Sequence, residues 1–310
     1  MDKIDVSIIM PMLNEEENVL NAYNRINGIM NATKYSYEII FVNDGSSDDS
    51  YNIAKRICGI DKRVRLISFS RNFGQEPALL AGHKESSGKC VISLDIDFQE
   101  PPELIPKMLE EWEKGYKIVD VKRKKRKEGF FKRATAKCFY KIMSHLGAKN
   151  MNDTAMFFLL DRIVVDKINT LEECSGTFKS VIFWTGYKTK TLYADRSPRD
   201  FGKTKYTLAK MIDTASLSMT NTTTKPLYLG FYISFAMFIT TFLLDIAFTV
   251  LSILNLLPAS LWLIPVGTFL TGTITLVLGV HGIYLAQTFI ESRHRPEYII
   301  EEKINFDDEK

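Results

Sequence analysis

Cys90-Val91-Ile92-Ser93-Leu94-Asp95-Ile96-Asp97-Phe98-Gln99 decides the reading of this chain. A short apolar run makes a buried strand, and two carboxylates one residue apart follow where that strand ends. The same arrangement recurs upstream. Val6-Ser7-Ile8-Ile9-Met10 is an apolar run ended by Pro11, after which Asn14-Glu15-Glu16-Glu17 supplies the polar, acidic start of a helix. Glu38-Ile39-Ile40-Phe41-Val42 is closed by Asn43-Asp44-Gly45-Ser46-Ser47-Asp48, where Ser47 or Asp48 caps the next helix. Val64 to Phe69 leads into Ser70-Arg71-Asn72-Phe73-Gly74 and a helical stretch to about Glu85. Downstream, Pro101-Pro102 opens a helix and Tyr116 to Val121 forms a fifth strand. Strands alternating with helical patterns predict an α/β fold with a mostly parallel sheet flanked by helices.

Open sheets of this kind bind ligands at the carboxyl ends of their strands, near the switch in strand order. Here those ends carry Asn14, Glu15, Asp44, Arg71, and Asp95 with Asp97. No GxGxxG follows the first strand and no GxxxxGK[ST] occurs anywhere, which disfavours a dinucleotide-dependent dehydrogenase and a P-loop nucleotidase. Short acidic pairs are common in solvated turns. A pair placed directly after an apolar strand, with Asp44 upstream and cations downstream, instead suits a hard divalent ion that bridges a diphosphate. The downstream cations are Lys122 to Lys127, then Lys132 and Arg133. Their lysines suit an anionic membrane surface, and Arg123, Arg126 and Arg133 suit phosphate oxygens near the site. Nucleic acid is not an expected partner.

The 310 residues are 45% apolar and 25% charged, which excludes disordered and collagen-like chains. The distribution of charge is uneven. Residues 1–225 hold 36 Lys+Arg against 29 Asp+Glu, whereas 226–290 contain one charged side chain, Asp245. The apolar runs Leu227 to Leu251 and Leu261 to Ile290 each exceed the roughly 20 residues that span a bilayer. Lys203, Lys205, Lys210 and Lys225 precede them, and Arg293 and Arg295 follow. Cationic flanks stay inside, so the expectation is a two-helix transmembrane hairpin with both termini cytoplasmic. Asp245 is costly in lipid unless it is protonated or meets a partner, which suggests either a homo-oligomer contact between helices or a role at the path of the lipid substrate. Cys58, Cys90, Cys138 and Cys174 are widely spaced and read as reduced thiols.

Together the stretches SIIMPMLNEEENV, YEIIFVNDGSSDDS, ISFSRNFGQEPALLAG, DIDFQEPPELI, FKRATAKCFY, LLDRIVVD and FGKTKYTLAK resemble the polyprenyl-phosphate branch of family 2 glycosyltransferases, which includes dolichyl-phosphate mannose synthase and GtrB-like enzymes. The resemblance runs from Ser7 to the second apolar run. It implies a GT-A domain, a Rossmann-like sheet that binds a nucleoside diphosphate sugar, over residues 1–200. Juxtamembrane amphipathic helices over 201–225, the hairpin over 226–290 and a cytoplasmic tail over 291–310 complete the chain. It further implies that Pro11, Asn14, Glu15 and Asp44 surround the nucleoside, and that Asp95, Asp97 and Gln99 hold Mg²⁺ or Mn²⁺. Arg71 joins the donor side, Arg123, Arg126 and Arg133 face phosphates, Asp153 lies near the acceptor, and Arg199 and Lys205 sit in the juxtamembrane segment. Asp97, Asp153 and Arg133 are the expected catalytic residues.

The implied reaction is inverting transfer of a hexose, from a UDP-sugar by resemblance, to polyprenyl phosphate at the cell membrane. The product would serve cell-envelope glycan modification. One departure stands out. Where GtrB-like relatives read Gly-Asp-Phe-Arg-Leu, this chain has Ala155-Met156-Phe157-Phe158-Leu159. The loss of an acid and a base together is consistent with apolar packing in place of an ion pair. It also motivates a rival reading, a catalytically impaired membrane scaffold that binds nucleotide sugar. A processive polysaccharide synthase is disfavoured, because no Q-x-x-R-W string occurs.

Overall fold

The computed structural model describes residues 4–123, 154–171, 178–194, 263–292 and 296–306, together with a few single positions between 236 and 254. The chain divides into two compact units. The first comprises Met1–Thr135, Asn150–Thr207 and Pro296–Lys310, and the second Ala136–Lys149 and Leu208–Arg295.

The first unit is built on one eight-stranded sheet in the order β7-β5-β6-β4-β1-β2-β3-β8. Its strands are β1 (Val6–Met12), β2 (Tyr37–Asn43), β3 (Val64–Phe69), β4 (Cys90–Ser93), β5 (Ile118–Arg123), β6 (Thr154–Asp161), β7 (Thr189–Ala194) and β8 (Ile300–Ile304). β1 pairs in parallel with β2 and β4, and β2 with β3. β5 and β7 are parallel, while β6 runs antiparallel to both β4 and β5, and β8 antiparallel to β3. The sheet is therefore mixed and mostly parallel, as a GT-A-like domain requires. Chain order reverses between β1 and β4, which places the switch point where Asp95 follows β4.

Central strands are apolar on both faces because helices cover both. α1 (Glu16–Asn31), α2 (Ser50–Ile60) and α4 (Ile105–Glu113) pack on one face, where Ile8, Met10, Ile39 and Phe41 meet Val19, Ala22, Ile26 and Met30 of α1. The latter four recur at helical spacing, so α1 presents one apolar stripe. α3 (Gln75–Glu85), α5 (Arg162–Asn169) and α6 (Phe178–Trp184) cover the other face, over Ile9, Ile40, Val42 and Ile67. Adjacent residues of each strand thus feed different cores.

Two local expectations are corrected. β1 does not stop at Pro11 but continues to Met12, with Pro11 opposite Val42. Ile9 accepts from Leu94, so Pro11, two residues on, turns its ring nitrogen to the β4 side, where β4 has already ended. The missing N–H costs no ladder bond there. The residue flanking α2 is Asp49, and its side chain makes no capping bond; Asp48 accepts from Ser50 N–H instead, at 3.0 Å.

In the second unit, α7 (Leu263–Ser292) runs for 30 residues. Taken over the described residues alone, no helix is both long and apolar enough to cross a membrane.

Candidate active site

Four loops leave the carboxyl edge of the sheet, and hydrogen bonds join each to the next. After β1, Asn14 adopts a left-handed backbone (φ 54°), and its side-chain oxygen accepts from Ser47 N–H at 2.8 Å. Its own N–H donates to Ser46 Oγ at 3.0 Å. Glu15 N–H donates to Ser50 Oγ, and the Glu15 carboxylate accepts from Asn18 at 2.6 Å. Asn14 and Glu15 therefore clasp the β1 loop to the β2 loop, a role that their acidic and amide character alone did not reveal.

After β2, Asp44 is buried and accepts from Phe73 N–H at 2.6 Å and from Gly74 N–H at 2.9 Å. Burial pushes its carboxyl above the ordinary value, against the two backbone donors and Arg71, which hold it down. Next to it, Gly45 has φ 70°, and a Cβ there would stand 2.5 Å from the carbonyl carbon of Arg71. Only glycine lets the β2 loop approach the β3 loop this closely. In that third loop the Arg71 guanidinium lies over the Phe73 ring at 4.0 Å and donates to Asn72 O, leaving the exposed residue at the rim.

Gly74 (φ 109°) turns the chain into α3, and the first residue of that helix, Gln75, donates to Asp95 Oδ1 at 2.6 Å. Sequence reading did not single out Gln75. Its only signal is position, the first helical residue after a strand-end loop, and the partner lies 20 residues on. After β4, Asp97 and Gln99 are joined side chain to side chain, and Gln99 N–H donates to Asp97 Oδ1 at 3.3 Å. Phe98 between them takes φ 47°. Gln99 Oε1 is buried and lacks a hydrogen-bond partner, which is costly for an amide oxygen.

Among the described residues no group of three or more His, Cys, Asp or Glu side chains is placed to hold a metal ion. The oxygen set is nevertheless suited to one. The carboxylates of Asp95 and Asp97 and the orphaned amide oxygen of Gln99 are hard donors of the kind that Mg²⁺ and Mn²⁺ take. The edge thus brings together Pro11, Asn14, Glu15, Asp44, Arg71, Asp95, Asp97 and Gln99. Arg123 ends β5 at the same edge, its backbone opposite Ala194. Arg126, Arg133, Asp153, Arg199 and Lys205 lie outside the described residues.

Residues 7–169 match the pattern of Glycosyl transferase family 2. The chain belongs to that family. It is 36% identical over 311 residues to YkcC, an uncharacterized glycosyltransferase of Bacillus subtilis (strain 168), covering 99% of this chain and 96% of the relative. It is 34% identical over 300 residues to a bactoprenol glucosyl transferase of Shigella phage SfV, covering 95% of this chain and 97% of the relative. A solved structure of glucosyl-3-phosphoglycerate synthase from Mycobacterium tuberculosis, in complex with uridine diphosphate, shares the fold. Its TM-score is 0.50 at 16% identity, covering 72% of this chain and 80% of that one.

The departure of this glycosyltransferase from its GtrB-like relatives is absorbed in the core. Phe158 is buried and stacks with His83 and Phe178 at ring separations of 6.1 and 6.0 Å. Opposite it on β5, buried Asp120 pairs with Lys179 of α6 at 2.8 Å. A cation from another element thus supplies Asp120 with a counter-charge beside the apolar Phe158. Other shared stretches are architectural. In LLDRIVVD, Asp161 caps α5 through Ile163 N–H and accepts from Trp112 Nε1 and Lys117 Nζ, both at 2.8 Å. Arg162 binds Gly88 O at 2.8 and 2.6 Å.

Proposed function

We propose that this family 2 glycosyltransferase moves a hexose from a nucleoside diphosphate sugar, with uridine as the base, to polyprenyl phosphate at a membrane surface. The observation that carries the reading is the run of hydrogen bonds that joins the four loops at the carboxyl edge through Asn14, Asp44, Gln75 and Asp95, with Arg71 and Asp97 on the same loops. The acceptor class comes from relatives named bactoprenol glucosyl transferase that align over nearly the whole chain.

Inverting transfer needs the acceptor oxygen in line with the anomeric carbon and a stabilised leaving diphosphate. A phosphate monoester has a second pKa of about 6, so a polyprenyl phosphate is largely dianionic at neutral pH and needs no general base. The protein must let two anions approach. Asp44 and the β2 loop hold the nucleoside end, and Arg71 meets donor oxygens at the rim. Asp95, Asp97 and Gln99 would hold Mg²⁺ or Mn²⁺. Such an ion supplies charge neutralisation and orientation of the diphosphate. Gln75 holds the Asp95 carboxylate through a hydrogen bond to Oδ1. Arg123, Arg126 and Arg133 are assigned to phosphates, and Asp153 to the acceptor side.

Membrane attachment through 226–290 has three supports. The sequence there carries one charge. On α7, Ile274, Leu278, Leu285 and Phe289 are exposed, and the Thr271 and Thr288 hydroxyls bond to carbonyls of their own helix. Apolar surface with self-satisfied hydroxyls suits a lipid environment. Finally, β8 belongs to the same sheet as β1 to β4. In this reading the segments before and after 226–290 share one side of the bilayer, which suits two crossings, and the cationic flanks favour the cytoplasmic side for both termini.

Membranes containing the full chain, supplied with undecaprenyl phosphate and single UDP-hexoses, test the proposal. One UDP-hexose should yield a glycosylated lipid phosphate that is resolved by mass. Binding of UDP without product from any UDP-hexose would instead favour the scaffold reading.

A further inference from the structure

Residues 296–306 return to the first unit and dock along β3, at the end of the sheet next to the donor loops. β8 pairs Ile304 with Leu66, Lys303 with Ile67, Glu302 with Ser68 and Ile300 with Phe69. Successive side chains of a strand point to opposite faces, and here Glu302 and Lys303 each find a partner. Glu302 meets Tyr51 and, at 3.0 Å, Lys55 of α2, while Lys303 meets Glu85 of α3 at 2.8 Å. Asn305 (φ 63°) donates to Cys58 O and Val64 O at 2.8 and 2.7 Å. The segment is thus tied to the strand and to helices on both faces.

At the other end of β8 the contacts reach the root of the third loop. Ile299 O accepts from Ser70 N–H at 3.1 Å. The Tyr298 ring stacks on Phe69, with centroids 5.0 Å apart and planes 12° apart. Phe69 meets Phe73 edge to face at 5.7 Å, and Phe73 in turn lies under Arg71. Burial pushes the Tyr298 hydroxyl up to about 12, as expected of a ring withdrawn from water. Tail backbone and tail ring therefore both back the loop whose Phe73 and Gly74 N–H groups hold Asp44.

We propose that Tyr298, together with the strand it leads into, is a positioning element of the donor site: it fixes the loop of residues 70–74, and through it Asp44 and Arg71, without touching the sugar nucleotide. This rests on the donor reading above. The physical reason is that the loop follows a strand end, where, apart from the bonds that its Phe73 and Gly74 N–H groups make to Asp44, its order depends on how firmly β3 is held at its root. Without β8, β3 would be an edge strand whose last residues fray. A donor-binding loop that must be ordered on binding costs affinity that a preordered loop does not.

The test uses the full-length protein carrying Tyr298→Ala or Tyr298→Phe. Removing an aromatic stack should raise the donor KM about three- to tenfold, with kcat and the acceptor KM within about twofold. Tyr298→Phe keeps the ring and should behave as wild type. Amide exchange of the Phe73 and Gly74 N–H groups should quicken in Tyr298→Ala and not in Tyr298→Phe. If the alanine variant does not accumulate, Tyr298→Leu takes its place. Unchanged exchange overturns the proposal, as does faster exchange with an unchanged donor KM, or a fall in kcat alone. A wild-type chain that neither binds UDP nor turns over UDP-sugars would defeat the donor reading, and exchange would then decide whether the tail orders the loop.

Discussion

In the proposed reaction Asp97 is the residue on which the chemistry would turn, because its carboxylate and the Gln99 amide share the turn past β4 and Gln99 Oε1 lacks a hydrogen-bond partner. Asp97→Ala should lower glycolipid formation at least about 10²-fold, the scale of removing one preorganised charge-stabilising group, and excess EDTA should do the same. Full turnover under either condition would sink the metal role. Gly45→Ala forces a side chain into φ 70° and against Arg71, and should cost about 1–3 kcal/mol in denaturant unfolding together with weaker UDP binding. Glu76, just past Gln75, accepts from Phe178 N–H at 2.6 Å, and burial pushes its carboxyl up to about 7. Glu297 adds to that shift and Lys179 opposes it. The folded state then holds the proton more tightly than the unfolded chain, whose glutamates titrate near 4.3. Stability from this group is present below that value and is lost as pH rises towards about 7. Glu76→Gln should therefore match wild type in thermal melts at pH 4 and exceed it at pH 8.

Among α1 to α5, only α5 has an N-cap side chain that accepts from its own first turn. α5 is only 8 residues long and depends on Asp161, whose carboxylate also serves Trp112 and Lys117. Asp161→Ala removes a cap worth about 1 kcal/mol and strands charge-assisted bonds worth about 1.5–3 more. A loss of about 2–4 kcal/mol in chemical denaturation is the expected result, with donor binding unaffected once the protein is folded. Within β2, Glu38 joins neighbouring elements: it accepts from Ser7 Oγ and Ser87 N–H at 2.5 and 2.8 Å and pairs with Arg65 at 2.9 Å. These elements were unevenly legible. β1 to β4 stood out because strands buried on both faces must be apolar throughout. β8, written Ile-Glu-Glu-Lys-Ile, reads as part of an acidic tail, since an edge strand is short and half exposed and its charges are partnered only after docking.

At the scale of the whole molecule, the tail strand bears on the proposed hairpin, because β8 joins the sheet that holds β1 to β4. Epitope tags placed before Met1 and after Lys310 should both be protected in intact cells and both exposed in inverted vesicles. A tag reachable from outside would exclude the hairpin topology. Sequence by itself determined the α/β class, the positions of the first four strands, and the gathering of Asp44, Asp95 and Asp97 at one edge. The reason is local: alternation of apolar runs with polar turns sets strand ends, and strand ends set the ligand edge. Tertiary structure alone decided that β6 inserts antiparallel between β4 and β5, that Gln75 donates to Asp95, that Asn14 clasps the β2 loop, and that Tyr298 stacks on Phe69 at the end of β3. Each depends on residues far apart in the chain whose contact is worth making only when both are already packed, and no local pattern of residues records that.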